Sequence, residues 1–404
     1  MNLWIVSLFD PTPMDNVATA RFVGVAEAAV VKGFTVTHFT STFRHSTKSH
    51  RFEYDTVKEI NENYQVIYLK SPGYKQNMRP RRFIAHWQYA RIWGKYASTL
   101  TPPDSIIVSL PPLSLADYVT EWAFKRNIPV LVDFIDPWPD SFIKDVSGGA
   151  RALAKLAITP FYNKLKRVLN RAKGVSAISQ GYIDWALGYY EGGSKPNRPF
   201  YPAVDFQWIQ DRFKELEQKQ PRQDQKLRLI YAGSLASSYD IPAICKAAEI
   251  LEKKYPGRTE FLIAGIGPQE NMVKEYASKL SNLKYLGWMT RDTLTEQYYL
   301  SDLGLIQHMN SLTQTVTYKL FSYLSAGLPV LNSLQSEMVN IIKDNQVGLN
   351  NKEGDFEKLA ENIERFIEEP NLLETYKKNA LSLTAEKGDT KKVYADMVDY
   401  LMEL

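Results

Sequence analysis

One pattern constrains this 404-residue chain more than any other. Short apolar, β-branched runs alternate with segments of helical hydrophobic period almost from end to end. In the first half the spacing predicts strands at 2–8, 34–40, 64–69, 104–109, 129–134 and 174–178. Helices are predicted between them at 17–32, 81–99, 113–127 and 150–172. The second half repeats the scheme, with strands at 227–232, 259–264, 283–286, 303–307, 328–332 and 346–349. Its helices fall at 241–254, 268–280, 291–300, 317–327 and 335–343. Two separate βαβ series mean an α/β chain with two parallel sheets, each covered by helices. The join, 191–202, is rich in Gly and Pro and reads as a linker. The stretch 215–226 is polar and charged and reads as a surface helix end plus loop. The tail is helical at 354–367, 370–384 and 389–403, with Asp389 placed to cap the last helix. No repeat of solenoid period is present.

Composition removes several classes. Hydrophobic residues make up 44% and charged residues 23%, a globular balance that excludes low-complexity disorder. The single cysteine, Cys245, excludes an intramolecular disulfide and thiolate zinc sites, and fits a reducing, cytoplasmic setting. The run 3–9 is too short for a signal peptide and lacks a basic start. No segment approaches the ~18–20 uninterrupted apolar residues of a membrane span. His38, His45, His50, His86 and His308 have no metal-ligand spacing and the carboxylates are not clustered, so no protein-held metal or cofactor is expected.

Three turns of one kind mark the second half. Leu229-Ile-Tyr-Ala-Gly233-Ser234-Leu235 ends a strand in small residues, and Asp240 then caps a helix with Pro242 in its first turn. Phe261-Leu-Ile-Ala-Gly265-Ile-Gly267-Pro268 repeats the device, with Pro268 opening a helix. The third is Thr315-Val-Thr317-Tyr318-Lys319, followed by Ser322 and Gly327-Leu-Pro329. Thr317 is placed to cap the helix that Tyr318 and Lys319 begin. Lys319 opposes the helix dipole there, a conflict that a bound diphosphate would resolve. Such turns serve tight strand–helix packing, or they let a phosphate approach backbone and helix N–H groups. At the carboxyl ends of strands in one sheet they favour a nucleotide site. No Gly-x-Gly-x-x-Gly follows the first strand and no Walker A motif exists, which disfavours a dinucleotide dehydrogenase or P-loop ATPase.

In this order the segments resemble the donor-site region of retaining glycosyltransferases of family 4. That family has the GT-B fold, two Rossmann-like domains with parallel sheets facing across a cleft. Gly233-Ser-Leu235, Gly265-Ile-Gly-Pro268 and Lys319…Gly327-Leu-Pro329-Val match its successive C-terminal-domain signatures. In the first half, Asp133-Phe-Ile-Asp136-Pro-Trp138-Pro139-Asp140 resembles the acidic Asp-x-Trp-Pro loop of colanic-acid and O-antigen transferases. Tyr201-Pro-Ala-Val-Asp205 resembles their domain-linking turn. The resemblance covers nearly the whole chain and is weakest at 42–100. It implies an acceptor-binding domain at 1–203 plus 389–404 and a nucleotide-sugar-binding domain at 204–388. The apolar stripe of Val393, Met397, Tyr400, Leu401 and Leu404 must be buried somewhere. Packing within the second domain is one choice; in the resembling fold the final helix returns to the first.

The resemblance also implies donor contacts at Gly233, Ser234, Leu235, Gly265, Gly267, Gln314, Thr315, Thr317, Tyr318 and Ser322, with Lys319 on the leaving phosphate. Two departures stand out. The family has two Glu eight positions apart, where this chain has Gln314 and Ser322. Its Arg and Lys phosphate clamp after the first glycine is replaced by Ser234, Ser237, Ser238, Tyr239 and Asp240. Phosphate binding then falls to backbone N–H groups, hydroxyls and Lys319.

The formal charge of +4 is unevenly placed. Residues 1–203 carry 25 Lys and Arg against 16 Asp and Glu, a balance of +9; the remainder carries 24 against 29, a balance of −5. A basic first half points to an anionic partner or to a plain solvated surface. Asn16 or Thr19 can cap the helix after the first strand; in the resembling family this loop lies against donor phosphate and acceptor. Arg21 is within reach of an anion. Asp136 follows strand 129–134, where a parallel sheet presents chemistry, or else it only makes a turn with Pro137. Trp138, flanked by prolines, is a wall for a sugar ring or for packing. The segment 75–96 interleaves Arg81, Arg82, Arg91 and Lys95 with Phe83, Trp87 and Trp93. It suits an anionic membrane surface or a core-packed helix equally. No nucleic-acid motif is present.

The expectation is a retaining glycosyltransferase of cell-surface polysaccharide biosynthesis, cytoplasmic or peripheral on the inner face of the membrane. It would move a sugar from a nucleotide-sugar to a saccharide or lipid-linked saccharide. Asp136 would orient the acceptor or accept its proton. The alternatives are a catalytically weak nucleotide-sugar-binding subunit of an assembly complex and a GT-B-like nucleotide-sugar epimerase.

Overall fold

The computed structural model describes residues 1–15, 20–76, 80–143, 146, 148–219, 225–309 and 314–404. The chain divides into two units, 1–201 with 393–404, and 202–392.

The first unit is built on ten strands: β1 (Asn2–Val6), β2 (Thr35–Ser41), β3 (Phe43–Arg44), β4 (Ser49–His50), β5 (Thr56–Asn61), β6 (Tyr64–Leu69), β7 (Ser105–Leu110), β8 (Val130–Phe134), β9 (Gly174–Ala177) and β10 (Asn197–Pro199). Eight form one sheet in the order β10-β9-β8-β7-β1-β2-β6-β5. All pairs are parallel except β5 with β6. β5 is the edge strand, and its side chains alternate between half-buried and exposed. A polar edge strand of that kind carries no apolar run, which is why the hydrophobic pattern misses it. The helices are α1 (Arg21–Val31), α2 (Pro80–Ala97), α3 (Leu113–Phe124), α4 (Gly149–Ala157), α5 (Thr159–Arg171) and α6 (Gln180–Leu187). The helix expected over 150–172 is two helices. Pro160 sits in the first turn of α5, where its missing N–H costs nothing, and cannot lie inside a longer helix. The linker expected at 191–202 contributes the edge strand β10.

Trp4 on β1 anchors the core of this unit. Its ring stacks on Trp122 at 5.6 Å and meets Phe39 at 5.0 Å and Trp93 at 6.4 Å, edge-on. Trp93 is therefore a core residue and not an interfacial anchor. Phe83 is partly buried against Trp138, Phe142 and Phe161. Only Trp87 of the three aromatics is well exposed.

The second unit has six strands, β11 (Leu227–Ala232), β12 (Thr259–Ala264), β13 (Leu283–Gly287), β14 (Leu303–Ile306), β15 (Val330–Asn332) and β16 (Gly348–Asn350). All are parallel, in the order β13-β12-β11-β14-β15-β16. Around them lie α7 (Phe206–Lys219), α8 (Ile241–Lys254), α9 (Glu270–Lys279), α10 (Arg291–Tyr299), α11 (Lys319–Leu324), α12 (Met338–Asp344), α13 (Phe356–Glu368) and α14 (Pro370–Lys387). Asp240 caps α8 by accepting from Ala243 N at 3.2 Å. Pro268 does not open a helix: α9 starts at Glu270. The third expected turn helix is short, Lys319–Leu324. Thr317 Oγ1 lies 3.4 Å from Lys319 N, a weak cap.

The last helix is α15 (Thr390–Glu403). Val393, Met397, Tyr400 and Leu401 are buried. Tyr400 meets Phe200 at 5.9 Å, and Asp399 and Glu403 pair with Lys32 and Arg198 at 2.5 and 2.9 Å. Within the second unit Val204 N donates to Gly388 O and Thr390 N to Val204 O, both at 2.9 Å.

Candidate functional site

In an open parallel sheet ligands bind beyond the carboxyl ends of the strands, where the strand order reverses. In the second unit that point lies between β11 and β14. β11 runs out into Gly233 and Ser234, and β14 into Gln307 and His308. Lys319 reaches the same place: a Cβ added to Gly233 would stand 2.9 Å from Lys319 Nζ and 2.7 Å from its Cε. Glycine at 233 thus leaves the room that the lysine side chain fills. The ammonium sits over the rings of Tyr239 at 4.1 Å and Tyr231 at 5.2 Å. Burial pushes it down to about 8. Among the described residues it has no carboxylate partner.

His308 stands beside it, its ring 4.7 Å from that of Tyr239. Its backbone is fixed by Ser333, whose Oγ accepts from His308 N at 2.7 Å and donates to His308 O at 2.9 Å. Burial, then the Lys319 charge, hold the imidazole down at about 3, so it is neutral. Its Nε2 has no hydrogen-bond partner among the described residues. His308 was not singled out in the sequence for this role; the bridge between its backbone and that of Tyr239 brings the two together.

Of the two readings of the glycine turns, packing accounts for three of their N–H groups. The N–H groups of Gly233, Leu235 and Gly265 donate to Ala264 O, Ile266 O and Gly287 O at 2.7–3.0 Å. They are spent on joining neighbouring turns and are not open to a phosphate. Gly265 has φ +144°, and a Cβ there would fall 1.8 Å from Gly233 O, so only glycine permits this approach. Leu235 is wholly buried, and its carbonyl accepts from Gln269 N. Gly265 and Leu235 therefore shape the site rather than touch a ligand, and Gly267 packs on the Leu235 backbone. Ser234, Ser237 and Ser238 are exposed. Gln314 and Thr315 are half-buried, and Thr315 O accepts from Ser336 Oγ at 2.5 Å. Thr317 is buried and Tyr318 is half exposed. Ser322 turns back on its own helix, donating to Tyr318 O at 3.0 Å.

In the first unit the strand order reverses between β1 and β7. Three sequence candidates come out differently there. Arg21 is 6% exposed and faces no incoming anion: Nε and Nη2 donate to Asp133 at 2.6 and 2.9 Å, and Nη1 to Phe200 O at 2.8 Å. Trp138 is 4% exposed, so it packs instead of stacking on a sugar. Phe142 lies 4.5 Å from its ring and the Arg82 guanidinium 4.8 Å. Asp136 is half-buried, and both carboxylate oxygens serve its own loop, accepting from Trp138 Nε1 at 2.9 Å and Ser141 Oγ at 2.7 Å. Asn16 and Thr19 lie outside the described residues.

The missed residue is Asp10, just past the carboxyl end of β1. Burial of its carboxyl, then the Asp133 charge, push it up to about 7 against the opposing pull of Arg21. The sequence signal was a carboxylate directly after the first strand. A carboxyl group poised near neutrality at a strand end suits proton transfer.

Comparison with known proteins places these sites in context. Residues 212–382 match the family model described as Glycosyl transferases group 1. Along its whole length the chain superposes on sucrose-phosphate synthase from Thermosynechococcus elongatus, with TM-score 0.70, 14% identity and coverage of 100% of this chain and 98% of that one. The fold is GT-B. A second GT-B neighbour, Anabaena HepE in complex with UDP, has TM-score 0.66 and 14% identity, each chain covered to 100%. The curated relative UDP-glycosyltransferase TURAN of Arabidopsis thaliana is 28% identical over 162 residues, 38% of this chain. The match spans about a third (32%) of that relative's length.

Proposed function

We propose that this protein is a glycosyltransferase using a nucleotide-sugar donor, of the retaining family 4 type, acting on a saccharide or lipid-linked saccharide of a cell-surface polysaccharide. One observation carries the reading. A half-buried ammonium, Lys319, which has no carboxylate partner among the described residues, lies over Gly233 at the strand-order reversal of the unit matched by the glycosyltransferase family model. A desolvated cation without a partner is costly, and a diphosphate offsets that cost.

The donor diphosphate sits against Lys319 Nζ and the hydroxyls of Ser234, Ser237 and Ser238. His308 Nε2 and Gln314 are left for the sugar or the ribose. As the glycosidic bond lengthens, negative charge grows on the leaving diphosphate, and Lys319 stabilises it. In this scheme the acceptor hydroxyl attacks the face that the leaving group vacates. Within the first unit Asp10 is the carboxyl group suited to accept a proton, because both oxygens of Asp136 are engaged. Among the described residues no three His, Cys, Asp or Glu side chains are grouped to hold a metal ion.

Ser322, bonded back to Tyr318, favours a second reading, a nucleotide-sugar-binding subunit with weak catalysis. Peripheral membrane attachment through the first unit rests on exposed Ile84, Trp87, Leu153 and Leu156 among Arg81, Arg91, Arg151 and Lys155. No described helix is long and apolar enough to cross a membrane.

A thermal-shift panel of UDP-, GDP-, ADP- and dTDP-sugars, followed by donor hydrolysis, tests the proposal. One donor class should stabilise the protein and be slowly hydrolysed. Binding without hydrolysis or transfer supports the subunit reading, and absence of any shift defeats both.

A further inference from the structure

The first unit holds a cavity of ≈ 610 Å³ that none of the chemistry above uses. Its size is that of a small-ligand site. It opens beside the carboxyl ends of two adjacent parallel strands: Phe43 follows β2, and Gly73 to Lys75 follow β6. The start of α2 closes another side with Arg81.

The charge of its lining is one-sided. Lys48, Lys75 and Arg81 line it, with His50, and among the described residues no Asp or Glu does. Among the described residues none of the three cations has a carboxylate partner. Among the described residues Lys48 Nζ donates to His45 O at 2.5 Å, lies 3.2 Å from His45 Nδ1 and sits over the Tyr74 ring at 5.1 Å, all of them neutral groups. The nearby arginines are treated differently. Arg51 and Arg44 both pair with Asp15, at 2.6 and 3.3 Å. Carboxylates thus compensate the cations beside the cavity and not those lining it. The remaining wall is aromatic, with the rings of Phe43 and Tyr74 tilted 4.9 Å apart. Behind Tyr74, Arg82 spans from its ring at 5.9 Å to that of Trp138 at 4.8 Å, adding positive potential.

We infer that this cavity binds the phosphate-bearing end of the acceptor, a sugar phosphate or diphosphate. Lys48, Lys75 and Arg81 take the anion, while Tyr74 and Phe43 face the apolar side of the sugar. The assignment of the ligand as acceptor rests on the transferase reading; the binding of phosphate does not. The phosphate comes either from a soluble sugar phosphate or from a lipid diphosphate carrier.

Calorimetric titration of the full chain with inorganic diphosphate, farnesyl diphosphate, glucuronate and methyl glucoside tests the inference. Lys75→Ala and Arg81→Ala should each weaken diphosphate binding about tenfold, the scale of one charge-assisted hydrogen bond. Arg81→Lys should recover part of that loss, and Lys125→Ala, on a distant exposed pair, should lose nothing. Lys319→Ala should retain the cavity's diphosphate binding. Farnesyl diphosphate binding more tightly than diphosphate assigns the lipid source, and equal affinities assign the soluble one. Diphosphate affinity unchanged in folded Lys75→Ala and Arg81→Ala proteins overturns the site. Glucuronate binding as tightly as diphosphate overturns its phosphate specificity. Failure of every nucleotide-sugar in the panel, with diphosphate binding here intact, would remove the transferase reading and leave the anion site.

Discussion

Around β1 and β8 in the first unit, charge is matched by the chain itself. Arg21 closes on Asp133, Ser176 Oγ donates to the same carboxylate at 2.7 Å, and Asp136 is held within its loop. At the corresponding edge of the second unit, Lys319 meets two aromatic rings and, among the described residues, no carboxylate. Both edges lie where parallel strands end, yet the first spends its charged groups on structure and the second keeps one in reserve. A buried charge with a partner is accounted for by the fold, whereas a desolvated charge without one points to a ligand. By the same criterion Asp10, pushed upward beside a satisfied pair, belongs with Lys319.

The largest effect expected is on rate. Asp10→Asn should lower kcat/KM by roughly 10²–10⁴-fold, the span of general-base catalysis, with donor affinity kept. In the parent protein the carboxylate form is the active one. The rate should therefore rise with pH through about 7 and level above it, and the variant should lack that limb. A pH profile unchanged in Asp10→Asn would return Asp10 to a structural role.

Next comes the matched pair. Arg21→Met leaves Asp133, 0% exposed, without its cation, and should cost about 3–5 kcal/mol in denaturant unfolding. Arg21→Met with Asp133→Leu should recover most of it. A cost under about 1 kcal/mol, typical of a surface pair, would mean that the first edge is not held by this pair.

Lys319→Ala tests the unmatched side. Donor affinity should fall by about 1.5–3 kcal/mol, the value of a hydrogen bond to a charged group. The free ammonium loses its proton above about 8, so donor affinity in the parent should decline as pH rises past that value. Isothermal titration on both sides of pH 8 measures it. A variant with parent-like donor affinity would empty the comparison of its meaning.

The smallest effect concerns the surface. Trp87→Ala with Leu153→Ser should reduce flotation with anionic vesicles several-fold at low salt, by removing apolar area of roughly 25 cal/mol per Å². Flotation should also fall as salt rises. Equal flotation of variant and parent would end the membrane proposal for this face.

The sequence alone determined the architecture. The strands Tyr64–Leu69, Leu227–Ala232 and Thr259–Ala264 and the helix Ile241–Lys254 stand where the hydrophobic period placed them, because continuous apolar runs in a parallel sheet have only one way to be buried. Elements without such a run, β5, β10, α6 and the polar α7, escaped it. Lys319 was legible as a functional candidate because its place in a helix start conflicts with the dipole, a local property.

What only the tertiary structure decided is who already has a partner. Arg21 and Asp133 lie 112 positions apart and bond at 2.6 Å. Trp138 is buried by residues from three separate segments, Phe9, Phe83 with His86 on α2, and Phe142. Gly233, Leu235 and Gly265 spend their N–H groups on turns that sequence order keeps 22 to 31 residues away. Hydrogen bonds and burial act over a few ångströms in space, and a linear pattern shows which groups a chain carries but not which of them folding leaves unsatisfied.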